Sequence, residues 1–435
     1  MKNRKTSFAA PVVTFVACTC FAACGSKDTP PPQPAAQAEA ARPAPAKVAR
    51  EKFDKTAADA KGGKADEAAL ESGFRAVVEA DEKVVEAQYN LGVLAQQAGR
   101  ADDAESRYKK ALQFDPKFGP AAENLAAVMV NRGQVEDAQK MLEGFIANEP
   151  AATGPRVALA RIYRDKKRYE DGISQCRLAL QREPKNLGAF ETLAQLYADA
   201  GNLPMAKLVA ARGFKVNDRD AVLHHTLGRI FLAENKIPEA VAALKNSLAG
   251  DPTFRPARID LAETALTYRD FGNAKDNYVE LLKSEPNDPG LLLGLGIANK
   301  GLGQYEDAKT AYKKVLEKNP QHSVALLDLA ILHHRNLNDF QGALDYYKLY
   351  QQKPVDDGPK PELLKGYIME LEATIAALKE AEKLQQMAEA QAKEAEKQQQ
   401  QQGAQEQAPA PEGQAPTPTP EGQGATPAPQ NQPTQ

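Results

Sequence analysis

The side chains of this 435-residue chain that have chemistry to offer are few, and their spacing scatters them. Four of the five histidines form two adjacent pairs, His224-His225 and His333-His334. Neighbours on a helix diverge by about 100°, so neither pair can close on a metal ion. No i,i+4 histidine pair, HExxH or CxxC is present either. These histidines read as solvated or groove-lining groups. Gly294-Leu295-Gly296, followed by Gly301 and Gly303, has a faint likeness to a phosphate-binding loop. It lacks the G-x-G-x-x-G spacing, a preceding strand and a GK[ST]. Acidic pairs such as Asp102-Asp103 and Glu306-Asp307 abound, but at helix starts, where the partial positive charge of the helix end accounts for them. Catalysis needs polar groups converging at matched geometry. With none in view, the chain reads as a non-enzyme with no cofactor and no metal. Its net charge of −3 provides no basic field for nucleic acid.

What the sequence does contain is a repeat. The stretch 85–118, VEAQYNLGVLAQQAGRADDAESRYKKALQFDPKF, recurs in outline seven more times at a 34-residue period, with units starting at 85, 119, 153, 187, 221, 255, 289 and 323. Position 8 of each unit is small: Gly92, Ala126, Ala160, Ala194, Gly228, Ala262, Gly296 and Ala330. Position 20 is small through the seventh unit, from Ala104 and Ala138 to Ala308, and six of those seven units end in proline. That period reads as paired helices stacked into a solenoid, each unit touching only its neighbours. The first helix covers about positions 1–14 and the second about 18–31. Position 15 is Gly99, Gly133, Gly201 or Gly303, with Asn235 in a fifth unit, types that tolerate the left-handed conformation ending a helix. Lys167, Arg269 and Leu337 depart from this, so their turns are either built differently or strained. Larger side chains at position 24 (Tyr108, Leu142, Leu244, Tyr278, Tyr312) fill the space beside the small ones. Residues 47–84 form a degenerate N-terminal unit. Phe53, Ala57 and Ala58 mark one helix, Gly62-Gly63 break it, and Ala69, Phe74, Val77 and Val78 mark the next. Cys176 occupies an apolar slot of the third unit and reads as a buried small hydrophobe rather than a reactive thiol.

The N-terminus reads as an address and an anchor. Lys2, Arg4 and Lys5 precede an uncharged, mostly apolar run from Ser7 to Phe21, the charge layout of a secretory signal. The run ends Phe21-Ala22-Ala23-Cys24-Gly25-Ser26, which resembles a bacterial lipobox, with Phe21 standing where that motif has an aliphatic residue. The resemblance implies cleavage of residues 1–23 and acylation of Cys24. Phe15-Val16-Ala17-Cys18 is a rival match that cuts into the apolar run, and an ordinary signal peptide is the other alternative. Gly25 after the cysteine favours the outer membrane over the inner, by the same resemblance. Residues 24–46, rich in proline and alanine, read as a linker. Its 28–46 portion would reach on the order of 60 Å in a polyproline conformation.

The repeat skeleton is similar to the tetratricopeptide repeat (TPR). The similarity is carried by small position 8, the aromatics Tyr163, Tyr197 and Phe231 at position 11, small position 20, position 24, Ala111 and Ala179 at position 27, and proline at position 32. It covers 85–352; the eighth unit fits best with one extra residue in its turn, shifting Phe340, Ala343, Tyr347 and Tyr350 by one. The resemblance implies an all-α fold, a right-handed superhelical solenoid of about eight to nine helix pairs, whose concave face binds peptides or protein segments. By that geometry positions 5, 9 and 12 of each first helix point into the groove. The side chains singled out there are Tyr89, Arg161, Arg164, Gln195, His225, Arg229 and Glu263, with the arginines as anion-binding anchors. An apolar end follows, made of Leu293, Ile297, Leu327 and Ile331. The paired lysines of carboxylate-clamp adaptors are missing, so that function is not carried over.

Residues 353–402 contain a long helix from Pro361, with Leu364, Ile368, Leu371, Ile375 and Leu378 on one stripe that fades into alanine. It reads either as a cap that folds over the apolar end or as a coiled-coil-like seam for a partner. Residues 403–435, rich in Gln and Pro, read as a disordered tail.

Signal, spacer, repeats and tail together resemble the TPR lipoproteins of myxobacterial and related envelopes. That implies a lipid-anchored scaffold on the periplasmic side, binding envelope proteins or their peptide segments and no nucleic acid, with gliding motility as the expected setting. A pilotin-like factor for secretin or outer-membrane protein assembly, and an adaptor for peptidoglycan enzymes, are the alternatives. The oligomeric state is left open.

Overall fold

The computed structural model describes residues 45–63, 66–352 and 358–406. The expected signal segment, Cys24, the linker up to residue 44 and the tail beyond residue 406 lie outside them. The described residues are helical, without a strand among them, and they divide at Gly303 into two compact bodies.

The first body begins with the pair α1 (Pro45–Lys61) and α2 (Glu67–Ala80). The regular pairs follow: α3 (Val85–Gln97) with α4 (Ala101–Phe114), α5 (Gly119–Asn131) with α6 (Val135–Asn148), and α7 (Thr153–Asp165) with α8 (Tyr169–Arg182). Next are α9 (Leu187–Asp199) with α10 (Leu203–Gly213), α11 (Ala221–Ala233) with α12 (Ile237–Gly250), and α13 (Arg255–Thr267) with α14 (Phe271–Ser284). Helix α15 (Pro289–Gly301) completes this body. The second body holds α16 (Tyr305–Lys318), α17 (Ser323–Arg335), α18 (Phe340–Gln351) and α19 (Pro361–Glu406). Most units therefore run over positions 1–13 and 17–30, so the second helix starts one residue earlier than the sequence implied.

The pairs close as the pattern of small and large residues requires. Across from Gly92 lies the ring of Tyr108, so near that a methyl on Gly92 would come within 2.6 Å of Cε1. Gly228 stands to Leu244 in the same way, at 2.7 Å from Cδ2. Tyr108, Leu142, Leu244 and Tyr312 are all fully buried. Gly294 and Gly301, the glycines with the faint look of a phosphate loop, are packing residues: Gly294 lies on the Tyr278 ring and Gly301 on the Phe271 ring.

Each turn ends its first helix in the same manner. Gly99 has φ +73°, and its neighbour Arg100 donates its backbone N–H to Ala95 O at 2.8 Å, six residues closing on the first as in a Schellman cap. Lys167 (φ 58°) and Arg269 (φ 59°) adopt this left-handed conformation too, with Arg168 N–H on Tyr163 O at 2.7 Å and Asp270 N–H on Ala265 O at 2.8 Å. Those turns are therefore built alike and carry the steric cost of a β-carbon. In the eighth unit the inserted residue moves the left-handed position from Leu337 to Asn338, at φ 53°.

The N-terminal unit packs Ala49, Phe53 and Ala57 against Leu70, Phe74 and Val77. Ala58 and Ala69, two of its expected markers, face solvent; the buried stripe uses Leu70 instead. Cys176 is fully buried, and burial pushes its thiol up to about 12, which makes it inert.

Candidate functional site: the inner face of the first helices

In the first body, successive first helices lie side by side: α3 on α5, α5 on α7, α7 on α9, α9 on α11, α11 on α13 and α13 on α15. Second helices pack instead on the first helices before and after them, as α8 does on α7 and α9. The first helices thus form an inner layer, and the side chains they turn away from the second helices line a common face.

Position 5, expected in the groove, divides by unit: it is buried in the first, third and fifth units and half-buried in the others. Tyr89, Val157 and His225 are the buried ones, Tyr89 and His225 beneath the aromatic residue that closes their own unit. The Tyr89 ring packs edge-on against Phe118 at 5.4 Å, and Asn124 Nδ2 donates to both Tyr89 Oη (3.2 Å) and Tyr108 Oη (3.3 Å). Burial, followed by the charge of Glu123, pushes the Tyr89 phenol up to about 12. His225 does the same four units on: its ring meets Phe254 at 5.5 Å, and Nε2 lies 2.9 Å from Asp260 Oδ2. Both residues join neighbouring units rather than presenting a surface.

Positions 9 and 12 are where the face opens. Arg161, Arg164 and Gln195 are half-buried there, and Arg229 and Glu263 are exposed. The arginines are not free anchors, because carboxylates of the same face already oppose them. Arg161 Nε donates to Thr192 Oγ1 at 3.3 Å, with Nη1 3.6 Å from Glu123 Oε1. Arg164 donates to Gln195 Oε1 and lies 3.7 Å from Asp199 Oδ2. Arg229 Nη2 approaches the other Asp199 oxygen at 3.6 Å. Asp199, in the fourth unit, thus bridges an arginine of the unit before it and one of the unit after it. Beside them Glu191 and Asp220 hydrogen-bond carboxyl to carboxyl. Burial first and Asp220 second push Glu191 up to about 7, with Arg161 acting against the rise.

Further along, Arg229, Leu232, Asp260, Glu263, Thr267 and Tyr268 line a cavity of about 380 Å³ that opens on the inner face. Asp199, Asp260 and Tyr268 were missed from the sequence. They occupy positions 13, 6 and 14 of their units, outside the three groove positions of the repeat. An exposed tyrosine at a helix end was the available signal for Tyr268.

Of the expected apolar end, Leu293 and Ile297 are half-buried on α15. In the second body Leu327 and Ile331 are half-buried in a cluster with Leu364, Ile368, Leu371 and Ile375 of α19. His334 meets the rings of Tyr347 and Tyr367 at 6.1 and 6.0 Å. The first part of α19 therefore covers this region; from Leu378 onward its side chains are exposed as far as residue 399. The histidine pairs, expected to be solvated or groove-lining, are half-buried or buried against neighbouring side chains. His224 lies on the Phe214 ring at 4.5 Å, and buried His333 pairs through Nδ1 with Asp339 Oδ2 at 2.8 Å. Among the described residues, no group of three or more His, Cys, Asp or Glu is placed to hold a metal ion, and no helix is long and apolar enough to cross a membrane.

Two family profiles described as tetratricopeptide repeat match, one over residues 95–162 and another over 60–117 and 300–357. A CTR9 homolog of Arabidopsis thaliana is 30% identical over 106 residues, which are 24% of this chain and 10% of that protein; the chain thus matches about a tenth of the relative's length. Among solved structures, a thermophilic TPR protein of Thermus thermophilus is 21% identical, covering 42% of this chain and all of that one, with a TM-score of 0.39. Pseudomonas aeruginosa pilF is 18% identical, covering 52% of this chain and 99% of its own, at 0.41. Human IFIT1 is 16% identical, covering 72% and 73%, at 0.47. Over residues 60–162 and 300–357 the chain matches tetratricopeptide-repeat profiles, and its described residues fold as a TPR-like solenoid of helix pairs.

Proposed function

We propose that this chain is a non-enzymatic scaffold of a bacterial envelope complex, held to the outer membrane by acylation of Cys24 and docking other envelope proteins, or segments of them, on the inner face of its first helices. The observation that carries the docking reading is the row of half-buried and exposed polar side chains at positions 9 and 12, from Arg161 to Glu263. A rigid layer presenting an irregular line of charges suits recognition of an extended segment, since the framework is pre-organised and only the segment has to be ordered.

The anchor rests on the sequence alone: Lys2, Arg4 and Lys5, the apolar run, and Ala22-Ala23-Cys24. A diacyl anchor would hold the chain stably, as two acyl chains do where one does not. Palmitate labelling of wild type and Cys24→Ser in the native host tests it, and labelling that survives the substitution removes Cys24 as the site. Partners are sought by crosslinking and mass spectrometry in the same host. The layout points first to the gliding motility machinery. Recovery of secretin-assembly factors or of peptidoglycan enzymes instead would move the scaffold to that complex.

A further inference from the structure

The cavity between the fifth and sixth units has a lining whose charges do not balance. Glu263 stands exposed, with no hydrogen bond or ion pair for its carboxylate among the described residues. Asp260 gives Oδ2 to His225 at 2.9 Å and retains its second oxygen. Arg229, the cation among the lining residues, leans away toward Asp199 on α9, at 3.6 Å. The threonine hydroxyls are committed to their own helix: Thr264 Oγ1 donates to Asp260 O at 2.6 Å and Thr267 Oγ1 to Glu263 O at 2.9 Å. Tyr268 closes the rim with a side chain left 53% exposed, its hydroxyl 3.4 Å from Asn235 Oδ1.

An exposed aromatic ring beside two carboxylates, with apolar Leu232 on the wall, fits one side-chain head better than others. A guanidinium is planar, stacks on tyrosine and donates in a fork to carboxylates. An ammonium would meet the charge but not the stacking geometry. A carboxylate would face two like charges. We propose that this cavity is an arginine subsite, filled by an arginine side chain of the segment docked on the inner face. The proposal rests on the docking reading above and deepens it by naming what the partner must present at this point.

The test is titration of the full chain, isotope-labelled at its tyrosine rings, with N-acetyl-arginine methylamide. A saturable shift is expected at the Tyr268 resonance, which Tyr268→Leu identifies by its loss. Glu263→Gln, at an exposed position that the fold does not need, should weaken binding by about tenfold. N-acetyl-lysine methylamide should bind more weakly and N-acetyl-glutamate methylamide not at all. No saturable shift, an equal shift with the glutamate probe, or binding indifferent to Glu263→Gln overturns the subsite. If the subsite fails while partner crosslinks from positions 164 and 195 persist, the docking reading stands without it. If arginine binds yet partners crosslink only to second helices, the docking reading falls, and with it the source of the arginine.

Discussion

Gly92 and Tyr108 meet at the centre of the first regular unit, where a β-carbon on the glycine would lie 2.6 Å from the ring. In this unit and in the fifth, where Gly228 meets Leu244, position 8 has to be small because position 24 is large. Gly92→Ala should overpack the unit and lower its stability by about 1–3 kcal/mol. Tyr108→Leu added to it should recover part of the loss, because the ring is what the methyl meets. Denaturant unfolding of the single and double variants measures this, and additive losses would show that the two sites do not interact.

The left-handed turn residues give a prediction of the opposite sign. Lys167 and Arg269 hold φ 58° and 59° where other units use glycine. A side chain in that conformation costs roughly 1–2 kcal/mol, against the roughly 0.5–1 kcal/mol of extra entropy that glycine loses on folding. Lys167→Gly and Arg269→Gly should each stabilise by up to about 1 kcal/mol. A lower thermal midpoint in both would contradict this reading of the turns.

Those turns also show how far the sequence could be read. Helix number, pairing and the left-handed sites at Gly99, Gly133, Gly201 and Gly303 follow from one period, because a solenoid repeats its local physics. Lys167 and Arg269 looked exceptional only because residue type was read without the Schellman bonds that force the conformation on any residue placed there. The site was less legible. Position 5 faces the groove in the repeat's geometry, yet Tyr89 and His225 are buried there by Phe118 and Phe254, the last residues of their own units, which lie just before the next first helix. Charge pairing between units, as at Asp199 with Arg164 and Arg229, joins residues about one period apart and leaves no local pattern.

Glu191 and Asp220 carry a pH prediction. Both carboxyls are raised in the fold, chiefly by burial, Glu191 to about 7. The charged groups that bear on them are Arg161 and Glu123 around Glu191, and His224 beside Asp220. A raised carboxyl means that the folded state binds the proton more tightly than the unfolded chain. Its contribution is therefore fully present below the unfolded value of roughly 4.3 and is lost as pH rises through about 7. Glu191→Gln keeps a hydrogen-bond donor toward Asp220 without the charge. It should flatten the fall in stability between those values, so that the variant gains on wild type at pH 8 relative to pH 5. Parallel stability curves across that range would exclude the pair as the source.

In the second body the two halves of α19 should respond differently to truncation. Leu371 is buried against the α17–α18 cluster, whereas Leu384 is 58% exposed. Leu371→Ala should cost about 2–5 kcal/mol, and it should raise binding of a hydrophobic dye as Leu327 and Ile331 lose their cover. Leu384→Ala should change stability by no more than about 0.5 kcal/mol. Equal effects at the two positions would mean that the packing of α19 is not confined to its first part.

The central claim is that the inner face of the first helices is where partners dock. Site-specific photo-crosslinking in the native host tests it most directly, with the crosslinker at exposed Glu263 on that face and, for comparison, at exposed Leu208 on the second helix α10. The expected result is a discrete crosslink from position 263 to an envelope protein and none of comparable yield from position 208. A discrete partner captured from position 208, with position 263 silent, would contradict it.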